Sequence, residues 1–150
     1  QSFTEYIDNY DHPLGLQSEV VHNNTDIAFS PNFLGAGGLT FSPFRYMQHG
    51  QVFEVDLLGK YVGKQYLDNT SNDNRSIDPY GLCDVRIRYS IKTKAVKELG
   101  LNLMLNNIFD KKYVSNGYTF SYIAGAEQTT VNYYYPQAGF NFLLGVTMKW

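Results

Sequence analysis

Apolar and polar residues alternate along four stretches of the chain. From Gln51 to Tyr66 the odd positions include Phe53, Val55, Leu57 and Tyr61, and the even positions carry Glu54, Asp56, Lys60 and Lys64. From Cys83 to Lys92, Cys83, Val85, Ile87, Tyr89 and Ile91 alternate with Asp84, Arg86, Arg88, Ser90 and Lys92. Leu99, Leu101, Leu103 and Leu105 alternate with Gly100, Asn102, Met104 and Asn106. The last stretch sets Phe140, Phe142, Leu144, Val146, Met148 and Trp150 against Asn141, Leu143, Gly145, Thr147 and Lys149. Successive strand side chains point to opposite faces, so this period predicts strands with one apolar and one polar face. On a helix the same period would spread apolar residues all round. A fifth strand is expected within Thr25–Ser42, where Ile27, Phe29, Phe33, Leu39 and Phe41 share a parity and Pro31 interrupts. Ser2–Ile7 reads as the end of a sixth.

The connections carry a second pattern. Pro43–Gly50 and Thr93–Glu98 are short, whereas Asp8–Asn24, Leu67–Gly81 and Ser115–Tyr135 are long and rich in Asn, Asp, Ser, Gly and Tyr. Alternation of short and long links places the short turns at one end of a sheet, as in outer-membrane barrels. The clear strands also approach the ~9–11 residues a tilted strand needs to cross a bilayer, rather than the ~5–6 of globular strands.

Charge placement assigns the faces. All nine charged residues of the four clear stretches lie on the polar parity. An Arg or Lys facing lipid at the bilayer midplane costs roughly 2–4 kcal/mol. A one-residue slip would expose Asp84, Arg86 and Arg88 together, so register is strongly set. The apolar parity is therefore expected to face lipid and the charged parity a wet interior. Tyr61, Tyr66, Tyr113 and Trp150 are expected near the interfaces. A soluble β-sandwich, whose strands also alternate, is the alternative on pattern alone.

Composition narrows the classes. The 150 residues are 43% apolar, 16% aromatic and 17% charged, with net charge −2, which leaves no basic excess for nucleic acid. No run of ~18 apolar residues is present to form a membrane helix. Five or six strands are too few for a closed outer-membrane barrel, whose smallest class has about 8. The start, lacking Met and a signal pattern, reads as an excerpt of a longer chain.

At this point the residues carry a family likeness. Leu105–Tyr113 resembles the NLFDKKY-type motif near the C-terminus of TonB-dependent outer-membrane receptors, with Ile108 in place of the commoner Leu. Tyr135–Trp150 is similar to their final strand, with its Pro-x-x-Gly start and a terminal aromatic, here Trp rather than Phe. Lys60–Thr70, Thr25–Asn32 and Phe3–Tyr6 resemble a Bacteroidetes branch of that family.

The resemblance implies an all-β fold of antiparallel up-and-down strands. Residues 1–150 would be the last five or six strands of a transmembrane barrel of about 22, which needs roughly 550 residues. It implies no enzyme and no cofactor. It implies an outer-membrane active-transport receptor in a Gram-negative, Bacteroidetes-type cell, importing a scarce ligand, foremost a ferric siderophore or other iron chelate. Implied partners are outer-membrane lipid, the TonB-ExbB-ExbD complex through a plug region not included here, and the barrel-insertion machinery through the C-terminal strand. An isolated piece is expected to self-associate, because its apolar parity and open edges are exposed. A passive pore or structural barrel, or a soluble all-β ligand-binding module, stands as the alternative function.

The sequence assigns no catalytic, substrate-binding or metal residue. Cys83 lies on the apolar parity, as a packed or lipid-facing thiol does. His12, His22 and His49 lack ligand spacing. Asp68–Asp78 resembles a calcium loop but places Asp73 where Gly belongs and Pro79 at the twelfth position, so a solvated external loop is expected. Gly35–Thr40 starts like a dinucleotide fingerprint without its last Gly or a following helix. Glu54 and Asp56 share one strand face and suit a hydrated lumen rather than a catalytic pair. Tyr118, Phe120, Tyr122 and Tyr133–Tyr135 make the last loop aromatic, suited to ligand contact, a folded-loop core or an interfacial girdle. Sequons at Asn23, Asn69 and Asn74 would matter only in a eukaryotic secreted protein.

Overall fold

The computed structural model describes residues 1–43 and 50–150. His49 and most of the expected 43–50 turn lie outside the described residues. The strands are β1 (Ser2–Asn9), β2 (Ser18–Asn23), β3 (Leu34–Phe41), β4 (Gln51–Val62), β5 (Gln65–Tyr66), β6 (Ser76–Ile77), β7 (Tyr80–Ile91), β8 (Glu98–Asn106), β9 (Val114–Ala124), β10 (Glu127–Pro136) and β11 (Asn141–Lys149). A 3-10 turn, Asp73–Arg75, precedes β6. The fold is all-β among the described residues. It divides into two compact units, one of Gln1–Phe33, Gly63–Pro79 and Tyr113–Gln137, the other of Leu34–Val62, Tyr80–Lys112 and Ala138–Trp150.

The second unit is a five-stranded antiparallel sheet in the order β3-β4-β7-β8-β11. Each strand neighbours the one before it within this unit, the meander that the alternating stretches predict. Strands β4 and β7 have 12 residues each, and β8 and β11 have 9 each, the long kind. Register places Leu57 beside Val85, Ile87 beside Leu103, and Leu103 beside Leu144, which gathers the apolar parity on one face. No second layer is needed to explain this pattern, and the face is open. Leu39, Phe142 and Val146 are 74%, 64% and 69% exposed. The opposite face brings Glu54 beside Arg88 and Asp56 beside Arg86. The outer edges of β3 and β11 are unpaired among the described residues.

The ends of this sheet explain the NLFDKKY-like segment. Asn107 is buried, has φ +50°, and donates its backbone N–H to Asp84 Oδ1 at 2.7 Å. Its amide side chain accepts from the Lys111 N–H and donates to the Lys111 carbonyl, both at 2.9 Å. Asp110, also at positive φ, accepts the Phe140 N–H at 2.8 Å. The turn thus takes the chain off β8 and anchors the start of β11. Asn and Asp tolerate this backbone region better than other non-glycine residues.

The first unit corrects several expectations. Ser2–Asn9 is a strand, but it belongs here, paired antiparallel with β2 and, over Asp8↔Tyr122 and Asn9↔Ile123 alone, parallel with β9. The fifth strand starts at Leu34, not Thr25. Phe29 has φ +56°, and Pro31 lacks the N–H a ladder requires, so 25–33 runs irregularly. The alternating stretch that begins at Gln51 leaves the sheet at Val62, and Gln65–Tyr66 pairs instead with Ser76–Ile77. The long links contain structure of their own: β2 within 8–24, β6 within 67–81, and all but the outermost residues of the β9–β10 hairpin within 115–135. Ile7, Leu67 and Ile77 are its buried apolar side chains. Gly117 is buried, and a Cβ there would collide with the Tyr133 carbonyl and press on Leu67.

Candidate functional site

The polar centre of the first unit is Arg75, which is 4% exposed. Its Nη1 donates to Glu5 Oε1 at 2.6 Å and Asp68 Oδ2 at 2.8 Å, and its Nη2 to Ser121 Oγ at 2.6 Å. Thr130 Oγ1 accepts a longer bond at 3.3 Å. One guanidinium therefore ties β1, the 67–75 segment, β9 and β10, using the fork of donors that arginine alone offers. Burial opposes its charge, but the hydrogen bonds to Asp68 and Glu5 outweigh that and raise its pKa above the ordinary guanidinium value. Glu5 is shared with His22 Nε2 at 2.9 Å.

This arrangement replaces the solvated loop expected at Asp68–Asp78. Thr70, Arg75 and Ile77 are buried, and Asp68 accepts from the Thr70 N–H and hydroxyl. The Asp68 carboxylate is thus engaged by the chain's own donors. Asn72 caps the 3-10 turn by accepting the Asn74 N–H. Lys64 pairs with Asp73 and lies 5.1 Å from the centre of the Tyr66 ring. The Asp73 hydrogen bond raises the Lys64 pKa, and the same bond lowers that of Asp73.

Beside Arg75 an open cleft of about 300 Å³ separates β1 from β9. The two strands pair only at Asp8 and Asn9, so toward Phe3 and Thr119 they leave space between them. Phe120 and Tyr122 form one wall, with ring centroids 6.3 Å apart, and Tyr10 stands 5.9 Å from Tyr122. The aromatic row continues through Tyr133 and Tyr118, stacked at 4.9 Å, to Tyr135. Tyr118, Phe120, Tyr133 and Tyr135 are all exposed. They therefore line a surface and do not form the folded-loop core that was one of three readings of this segment. Tyr134 points elsewhere and donates to the Ser76 carbonyl at 3.1 Å. Asp11 holds the β9–β10 turn by accepting the Gly125 and Ala126 N–H groups at 3.0 and 2.7 Å. The bond from Ala126, then that from Gly125, lowers the Asp11 pKa.

Charge divides unevenly between the units. The first holds nine carboxylates against Lys64 and Arg75, a formal net charge of −7, and the second has a net charge of +5. Nothing in the composition of the whole chain reveals this, because the two nearly cancel.

The remaining candidates fall as follows. Cys83 is a free, half-buried thiol whose carbonyl accepts the Ile108 N–H. His12 Nδ1 accepts the Leu14 N–H, and His22 is on Glu5. Among the described residues no group of three or more His, Cys, Asp or Glu side chains is arranged to hold a metal. Gly35–Thr40 lies in β3, with Gly37 opposite Gly59. Glu54 and Asp56 both pair with Arg88, at 3.0 and 3.2 Å, and Asp56 is buried and accepts from the Thr40 hydroxyl at 2.7 Å. Tyr66 lies in the first unit with its hydroxyl on Asp73, while Tyr61 and Trp150 are exposed on the second. Asn69 has a structural task, accepting the Ala28 N–H at 2.7 Å. Sequence reasoning missed Arg75, Glu5 and Asp8. An arginine among Asp and Asn residues in a long link was the available signal.

The chain is similar to the ferrioxamine receptor of Yersinia enterocolitica, with 39% identity over 80 residues, 49% of this chain and 11% of that receptor. The chain thus spans about a tenth of the length of the relative it matches. No protein-family model matches the chain, and no solved structure matches it.

Proposed function

We propose that residues 1–150 are the C-terminal barrel portion of a TonB-dependent outer-membrane receptor that imports a ferric siderophore and catalyses no reaction. The likeness to the ferrioxamine receptor carries this reading. The five-stranded meander supports it, since an apolar face left open on strands of this length suits lipid. In this reading β3 and β11 pair with the remaining strands of the barrel, which closes the edges that would otherwise invite aggregation. The charged face, with Glu54, Asp56 and Arg88 cross-paired, lines the wet interior. The first unit gathers the long links into a ligand-facing surface. TonB-ExbB-ExbD would act through a plug encoded outside this chain, and the insertion machinery through β11. Assignment to a Bacteroidetes-type branch rests on the resemblance of Lys60–Thr70, Thr25–Asn32 and Phe3–Tyr6 alone.

The test uses the intact protein in a Gram-negative host that makes no siderophore. Ferric hydroxamate supplied outside is expected to restore growth on limiting iron only when TonB is present. Growth independent of TonB would point to a passive pore, and failure to bind any ferric chelate would remove the siderophore reading.

A further inference from the structure

We infer that the cleft between β1 and β9 receives the cationic end of an oxygen-rich ligand, held between the Asp8 carboxylate and the rings of Tyr10 and Tyr122. The inference rests on the receptor reading for its setting and on the first unit alone for its chemistry.

Three observations converge on it. The first is charge: a unit of net −7 draws cations to its surface, and Asp8, on the cleft, makes no ion pair among the described residues. Its partner there is the neutral amide of Gln17, at 2.8 Å. Glu5 and Asp68, deeper in the same cleft, are already matched by Arg75. The second is the wall. Tyr10, Phe120 and Tyr122 place three aromatic rings on the cleft lining, and a cation over an aromatic face gains from the ring quadrupole. The unit already uses that chemistry on itself, since Lys64 is held by the Tyr66 ring and the Asp73 carboxylate. The third is an unmet demand for oxygen and hydrogen-bond partners. Arg75, 96% buried, leaves its Nε–H unpartnered, and Thr119 Oγ, also in the cleft lining, is buried and unpartnered among the described residues. Buried polar atoms are seldom left so, and a ligand bearing carbonyl-type oxygens beside its cation supplies the Nε–H with an acceptor. A purely anionic ligand fits poorly, because Arg75 is the one cation in the cleft lining and its charge is consumed by two carboxylates.

The experiment compares two probes on the intact protein by quenching of intrinsic fluorescence: a ferric trihydroxamate with a free terminal amine, and the same chelate with that amine acetylated. The amine form is expected to bind about tenfold more tightly, with a preference that shrinks as salt rises. Asp8→Asn, a change at an exposed position, and Tyr10→Leu are each expected to reduce that preference to about threefold or less. Equal affinity for both probes overturns the inference and leaves the receptor reading standing. Binding of neither overturns the receptor reading and this inference with it. A preference that survives both substitutions shows the cation is read elsewhere and overturns the assignment to this cleft.

Discussion

Arg75 Nη1 donates to Glu5 Oε1 at 2.6 Å, joining residues 70 positions apart in the chain. Together with the bonds from Nη2 to Ser121 and Thr130, this contact ties the three separate segments of the first unit. A buried charge without its partner is far more costly than a matched pair is favourable. Arg75→Ala is therefore expected to destabilise the protein by about 3–5 kcal/mol, since Glu5 and Asp68 would be left without a cation. Arg75→Lys should recover part of this, because a point charge cannot reproduce the fork. Denaturant midpoints of the three proteins check the order. A loss below about 1 kcal/mol in the alanine variant would mean that the network is ornamental.

The two faces of the sheet offer a paired test of environment. Leu101 and Asn102 are successive residues of β8 on opposite faces. If the apolar face meets lipid, Leu101→Arg should cost roughly 2–4 kcal/mol near the midplane, and Asn102→Arg much less. Folding into lipid vesicles measures both. Equal costs would defeat the assignment of faces.

Asn107 combines a positive φ with a fully used side chain. Asn107→Ala is expected to cost about 2–4 kcal/mol through lost hydrogen bonds and backbone strain. Asn107→Gly relieves the strain alone and should fall in between. Unfolding of the intact protein in vesicles orders the three. A glycine variant no better than alanine would show that strain contributes nothing.

Asp11 makes the β9–β10 turn sensitive to acid. Its pKa is lowered on folding, so its contribution is complete above the ordinary aspartate value and is lost as pH falls through the lower folded value. Hydrogen exchange of the 124–128 segment, corrected for intrinsic rates, should show protection that declines in that acid window. Asp11→Asn should remove the dependence on pH. Protection that is flat with pH in the parent protein would contradict the role given to Asp11.

Tight packing at Gly117 gives a further check. Gly117→Ala should destabilise by about 1–3 kcal/mol, because the added methyl meets backbone that cannot give way. Thermal unfolding measures it, and a neutral result would contradict the close approach of β9 and β10 at this point.

The alternation at Gln51–Val62, Cys83–Ile91 and Leu99–Leu105 was readable because a strand's side-chain period is a property of the backbone itself. Partner strands only decide which face is covered. Charge on one parity made the register legible for the same reason: a slip moves every side chain at once. The sheet and its order, β3-β4-β7-β8-β11, follow from such local facts together with link lengths. The aromatic density around Tyr118–Tyr135 was also visible, and its exposure removes the folded-loop core while leaving ligand contact and an interfacial girdle.

Arg75 lay beyond that reach. Its partners Glu5, Asp68, Ser121 and Thr130 come from segments far apart in sequence, and no local period marks a side chain that is buried through such contacts. The same holds for the strands inside the long links, whose pairing is set by which segments meet. A composition near neutrality concealed a net −7 unit and a net +5 unit, because charge sums along a chain while electrostatic potential depends on where the chain goes. Backbone geometry makes the strands and their two faces a matter of local residues alone. The cleft exists because folding gathers distant carboxylates and rings beside one buried arginine.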